Sequence, residues 1–398
     1  MRRGLLVGLA IVFVVGLLYL PSVTAAPKPI NVGSVIPLTG MYAVIAKAQR
    51  MGVLMAKDEI NEAGGILGRP LKVHIRDSEL KPALALRRLM GLVERKKIIW
   101  HTGTLHAGIA LSINDYCKKI KMPYFSCCNT PDSLFKKGTI GKYTFPLLNV
   151  CGQIGYAGGE YVFKNMGKRV YLLVIDYAWG HYIRDGMKRA AKEFGGEIIG
   201  IDHYPLGITD LTPFLTKARA AKPDVLIGVA PGMAELMLTK QIHEMGLKKQ
   251  MKIYQVWLSQ FTVEGDPAAH EGIYGGIDLY YKYDWPSTKK FTEKFLDEYA
   301  TVPDSYSTGT YTALKLLAKI ANEKKTLDPD VITAEVEKRS FDYTKGPIRW
   351  RSPDHMIIHR WFITKCKLPS KEDRHDVMDI KWIAEGEKYA PPLKDLGY

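Results

Sequence analysis

The chain has 398 residues, a formal net charge of +15, five cysteines and 46% apolar residues. That apolar content excludes a disordered chain, and the length exceeds what one compact core supports, so two lobes are expected. The basic residues are scattered in pairs such as Lys118-Lys119, Lys248-Lys249 and Lys324-Lys325, with no basic stripe interleaved with aromatics, so nucleic acid is not an expected partner.

Residues 1–26 read as a cleaved secretory signal. Arg2 and Arg3 precede an uncharged apolar run of 16 residues from Leu5 to Leu20, and Thr24-Ala25-Ala26 offers a small-residue cleavage site. The run is short for a membrane span of about 20 residues. No cysteine directly follows it, so no lipid anchor is expected there, and the mature chain is expected to be an exported, soluble protein. Cys117, Cys127, Cys128, Cys151 and Cys366 show no metal-ligand spacing, and adjacent Cys127 and Cys128 are too constrained for a routine mutual disulfide. They read mostly as small packing residues.

The periodicity predicts a strand over 30–36, a helix with Ile45, Ala48, Val53, Ala56 and Ile60 on one face, and glycine punctuation over 61–68. A strand over 71–75 and a helix over 82–94 follow. Ile98, Ile99 and Trp100 read as a buried strand, Thr102-Gly103-Thr104 as a tight turn, and a helix is predicted from Leu105. A strand, a small-residue loop and a helix N-terminus form a junction where open α/β sheets bind ligands, and the first helical turn favours a carboxylate or another anion. A fourth strand covers 123–126.

After a restart at 143–150, the pattern repeats. Helices are predicted over 152–166, 180–194, 211–221 and 233–245, with strands over 169–175, 198–203, 224–229 and 252–257. Helices over 287–299, 305–323 and 330–338 precede a terminal strand pair over 348–351 and 355–363. The expected fold is α/β, with two Rossmann-like lobes and mainly parallel sheets.

Several blocks carry a family resemblance: Pro37-Leu38-Thr39-Gly40, Ala63-Gly64-Gly65-Ile66-Leu67-Gly68-Arg69-Pro70, Asp176-Tyr177-Ala178-Trp179-Gly180 and Pro223-Asp224-Val225-Leu226-Ile227-Gly228. In this order, behind a signal peptide, they resemble the branched-chain amino acid and amide binding proteins of bacterial ABC importers, the type I periplasmic binding proteins. The resemblance implies a hinge of three crossovers, placed near 145–150, 277–281 and 345–348. Lobe one is then expected to comprise 27–147 plus 281–345, and lobe two 148–280 plus 346–398 with the C-terminal tail. It further implies a monomer that captures a small ligand between its lobes and presents it to membrane permease subunits. The same fold also serves extracytoplasmic ligand sensors.

By the same resemblance, lobe one would meet the ligand with Thr104, His106 and Ala107 from one loop and Cys128 and Asn129 from another. Lobe two would contribute Trp179, Gly232, Trp257 and Gln260, with Tyr42 overhanging the cleft. The sequence departs from the amino-acid binders after Trp257, where Leu258, Ser259, Gln260 and Phe261 stand in place of an acid that would hold an ammonium group. The expected ligand is therefore a small organic acid or amide with an apolar or aromatic body. A branched-chain amino acid is the alternative, should Glu264 or Asp278 supply the acid. No hydrolase elbow, metalloprotease motif or phosphate loop is present, so no enzyme, metal or cofactor is expected, and His101, His106 and Asp115 match no catalytic pattern.

Overall fold

The computed structural model describes residues 27–127 and 130–398. The predicted signal segment 1–26 and the predicted ligand residues Cys128 and Asn129 lie outside the described residues. The chain opens with β1 (Ile30–Ile36), α1 (Ala43–Glu62), β2 (Leu71–Asp77), α2 (Pro82–Lys96), β3 (Trp100–Gly103), α3 (Ala107–Ile120), β4 (Tyr124–Ser126) and β5 (Thr144–Pro146). These five strands form a parallel sheet in the order β2-β1-β3-β4-β5. β1 is buried along nearly its whole length, as a strand covered by helices on both faces must be.

The second unit begins with α4 (Cys151–Asn165), β6 (Arg169–Ile175), α5 (Ala178–Phe194), β7 (Glu197–Tyr204), α6 (Thr212–Ala220), β8 (Val225–Val229), α7 (Met233–Glu244) and β9 (Lys252–Gln255). Short helices α8 (Gln260–Gly265) and α9 (Pro267–His270) precede β10 (Tyr274–Ile277). The chain then returns to the first lobe with α10 (Pro286–Tyr299), α11 (Ser305–Lys324) and α12 (Pro329–Lys338), α11 packing along α1. A small antiparallel sheet follows, built from β11 (Phe341–Tyr343), β12 (Gly346–Arg351) and β13 (Met356–Ile358). Finally β14 (Trp361–Cys366) and β15 (Met378–Ala384) complete the second sheet, in the order β15-β14-β10-β9-β8-β6-β7, and α13 (Gly386–Tyr389) and a short 3-10 helix (Leu393–Leu396) follow.

Local chemistry moved two predicted boundaries. Val32 to Val35 pair in register with Trp100 to Gly103, so Thr102 and Gly103, expected in a turn, belong to β3. The turn follows immediately, with positive φ at Gly103 (114°) and Thr104 (73°). α3 starts at Ala107 rather than Leu105 because His106 is extended and its side chain caps the helix.

The third crossover also lies later than expected. Ile348, Trp350 and Ile357 are buried in the first lobe's core with Phe125 and Phe145, and Trp350 Nε1 donates to the Pro146 carbonyl at 2.6 Å. This hairpin therefore stays with lobe one, and the chain passes to the second sheet at His359 and Arg360, not at 345–348. The predicted strand over 355–363 is two strands serving two sheets. Lys345 instead pins the hinge: its ammonium pairs with buried Asp278 just after β10 and donates to the Leu147 carbonyl at 3.4 Å.

Candidate functional site

The C-terminal ends of β3 and β6, from the two sheets, face each other across the cleft. Tyr42, Ile45, Leu105, Ala107 and Tyr306 from lobe one and Tyr177, Trp179 and Pro231 from lobe two line a cavity there. Its empty volume, including the mouth to solvent, is about 320 Å³. The facing side chains of the two lobes nearly meet across it.

The walls are aromatic and continuous across the lobes. His106 stacks on Tyr177 with ring centroids 5.5 Å apart and planes 13° apart, and Tyr177 stacks on Trp179 at 6.1 Å and 15°. The Tyr42 and Tyr177 hydroxyls lie 3.1 Å apart, a hydrogen bond between lobes. Tyr177 and Trp179 stand where β6 turns into α5. That turn is tight enough that a Cβ on Gly180 would lie 2.2 Å from the Ile175 carbonyl oxygen, so glycine is required for the helix to start there.

These walls carry no charge near neutral pH. Burial lowers the His106 pKa below its ordinary value, and its Nδ1 accepts from the Gly108 amide at 3.1 Å. The ring is then neutral with its proton on Nε2, where it can donate to a ligand. Burial pushes the Tyr42 hydroxyl up to about 12 and the Tyr177 hydroxyl well above its ordinary value. His106 already occupies one amide of the α3 N-terminus, while helix geometry leaves those of Ala107 and Ile109 without an intrahelical partner.

Gln49 on α1 supports this floor. Its side-chain NH2 donates to the carbonyls of Thr104 and Cys127, each at 2.8 Å, tying together the loops after β3 and β4. Thr104 is a β-branched residue held at positive φ, a strained conformation, and its hydroxyl lies 2.8 Å from that of Tyr124.

Of the residues expected from sequence, Tyr42, Ala107 and Trp179 line the cavity, with His106 stacked on its wall and Thr104 beneath. Gly232 stands at the rim at φ 56°, and a Cβ there would lie 2.8 Å from Ile45 Cδ1 on the opposite lobe. Trp257 sits behind the wall, packed on Tyr306 at 5.6 Å and on Trp361 at 5.0 Å. Gln260 does not join them: its side chain donates to Glu264 and to the His375 carbonyl, while buried Asp304 accepts from its backbone amide. Glu264 is further engaged by His375 at 2.9 Å, and Asp278 by Lys345. His101 is a core residue, its Nε2 accepting from the Val35 amide at 3.3 Å and its pKa lowered to about 3 by burial.

Sequence reasoning missed Ile45, Tyr177, Tyr306 and Gln49. Tyr177 could have been found from its place in the Asp176 to Gly180 block. Tyr306 lies in the first turn of α11, far along the chain from the other cavity residues, with no local signal.

A family model described as "Periplasmic binding protein" matches residues 29–373. A Leu/Ile/Val-binding protein homolog of Brucella abortus is 23% identical over 332 residues, covering 79% of this chain and 81% of its own. An amino acid ABC transporter substrate-binding protein from Pseudomonas fluorescens superposes with a TM-score of 0.85 at 21% identity, over 94% of this chain and 99% of its own. A solute-binding protein from R. palustris, solved in complex with benzoate, superposes at 0.81 with 19% identity, over 90% and 97%.

Proposed function

The chain belongs to the periplasmic binding protein family, and we propose that it is the exported, monomeric receptor of an ABC importer, closing two hinged lobes on a small aromatic or apolar carboxylate or amide. The carrying observation is the uncharged aromatic wall shared by both lobes, the His106–Tyr177–Trp179 stack with Tyr42 above it. Such faces suit an aromatic body admitted when the lobes part, and the His106 Nε2 proton and the first amides of α3 suit a carboxylate or carbonyl oxygen.

A free amino acid fits this wall less well. Burying its ammonium without an acidic partner costs several kcal/mol. The two acids that sequence offered for that role, Glu264 and Asp278, are already paired with His375 and Lys345. The benzoate-bound structural neighbour is in keeping with an aromatic acid, and the Leu/Ile/Val-binding relative favours the alternative. Closure follows from differential affinity: a ligand touching both lobes stabilises only the closed form.

The test is a thermal-shift screen, confirmed by calorimetry, on residues 27–398 against benzoate, hydroxybenzoates, aliphatic acids, amides and branched-chain amino acids. Stabilisation by the aromatic acids or amides is expected, growing with ligand concentration. Stabilisation by leucine, isoleucine or valine alone would overturn the ligand assignment.

A further inference from the structure

The C-terminal tail, expected to belong to lobe two, returns to lobe one. In lobe two, Lys388 and the Tyr389 hydroxyl both bond to the Glu160 carboxylate on α4, the latter at 2.8 Å. Gly386 is wedged against the third crossover, where a Cβ would lie 2.1 Å from the His359 carbonyl oxygen. A few residues later, Leu396 and Tyr398 pack with Leu134, Phe135 and Met356 of lobe one. The Leu396 carbonyl accepts from the Lys137 amide at 2.8 Å, and Arg351 on β12 donates to the Pro391 carbonyl at 2.8 Å.

Ala390-Pro391-Pro392 follows Tyr389 directly, with Ala390 and the Pro391 carbonyl already in contact with lobe one, and leads into a short 3-10 turn (Leu393–Leu396) that carries Leu396. Proline fixes φ, and consecutive prolines make a semi-rigid spacer. The connection is therefore a short stiff link anchored at both ends, running beside the first crossover, since Val150 belongs to the same apolar cluster as Leu396.

We propose that this tail is a fourth interlobe connection, a strut on the hinge side that restricts how the lobes rotate on opening. The three crossovers permit bending and twisting. A stiff fourth link beside them removes rotations that would stretch or compress it, leaving one dominant axis. It rests on the hinge-bending part of the proposed function and is independent of ligand identity. The tail lies beyond the residues matched by the family model, so family membership does not imply this role.

The experiment is electron–electron distance measurement on unliganded residues 27–398. Spin labels are carried by noncanonical residues at exposed Lys47 on lobe one and Lys188 on lobe two. Two variants are compared with the parent. Pro391→Gly with Pro392→Gly keeps both anchors and removes the stiffness, and Leu396→Asp releases the lobe-one anchor. Both are expected to broaden the interlobe distance distribution, the glycine pair with a smaller fall in melting temperature than Leu396→Asp. A broad parent distribution unchanged in the glycine variant would overturn the strut alone. One narrow distance in the parent and both variants would overturn the strut together with hinge bending itself.

Discussion

Asp304 shows what a single buried group costs. It caps α11 by accepting from the Tyr306 amide at 3.0 Å and from the Ser259 hydroxyl at 2.7 Å, yet burial raises its pKa from 3.8 to about 6. An unfolded chain releases that proton near its ordinary value, so between about pH 4 and pH 6 the folded state binds more protons than the unfolded one. Stability contributed by this group therefore falls as pH rises through that window, by at most about 3 kcal/mol, and the deficit is complete above pH 6. Asp304→Asn keeps a capping acceptor and cannot ionise. Urea unfolding at pH 4, 5, 6 and 7 should show the wild type losing stability relative to the variant as pH rises; parallel profiles would contradict the assignment. At the cavity, Trp179 is 4% exposed and stacked on Tyr177. Trp179→Ala should cost about 3 kcal/mol or more in stability and should abolish measurable binding of whichever ligand the screen selects. Retained affinity would remove Trp179 from the site.

At the scale of elements, the turn before α7 controls how closely the lobes meet. Gly232 has φ 56° and ψ −126°, and it faces Ile45 on α1 of the other lobe. A β-branched residue there is strained by roughly 1–3 kcal/mol and also pushes on Ile45, a contact made only when the cleft is closed. Gly232→Val should therefore weaken ligand binding tenfold or more beyond its effect on the melting temperature of the unliganded protein. Calorimetry beside thermal unfolding checks this, and an equal effect on both would reduce Gly232 to a backbone requirement. The β12–β13 hairpin illustrates how packing overrides adjacency. Its pairing was legible, because the alternating Ile348-Arg349-Trp350-Arg351 and the apolar Met356-Ile357-Ile358 flank Ser352-Pro353-Asp354. Its lobe was not, because membership depends on Trp350 reaching between Phe125, Phe145 and the Pro146 carbonyl.

For the whole molecule, the hinge predicts a measurable change of shape. Lobe one is pinned to the crossovers by the buried Lys345–Asp278 pair, and the cleft opposite is closed where Tyr42, Ile45, Leu105 and Tyr306 of lobe one pack into the apolar cluster of lobe two. Scattering from residues 27–398 should show the radius of gyration falling when the selected ligand saturates the protein, and an unchanged radius at saturation would count against closure.

What the sequence determined by itself follows from local physics. Alternating strands and amphipathic helices, glycine stops and the ordered blocks from Pro37 to Gly228 sufficed for an α/β fold of two similar halves, because periodicity and turn chemistry act over a few residues. Tyr42, Ala107 and Trp179, which line the cavity, were named through the family resemblance, and each lies near the C-terminal end of a strand, where this class of sheet presents its loops. The tertiary structure alone decided that Tyr306 closes the cavity, that Gln49 ties two loops together, that Gln260 turns away, and that the tail crosses back to lobe one. Each depends on contacts between segments distant in the chain. Their geometry is set by how helices and sheets dock, which local periodicity does not encode.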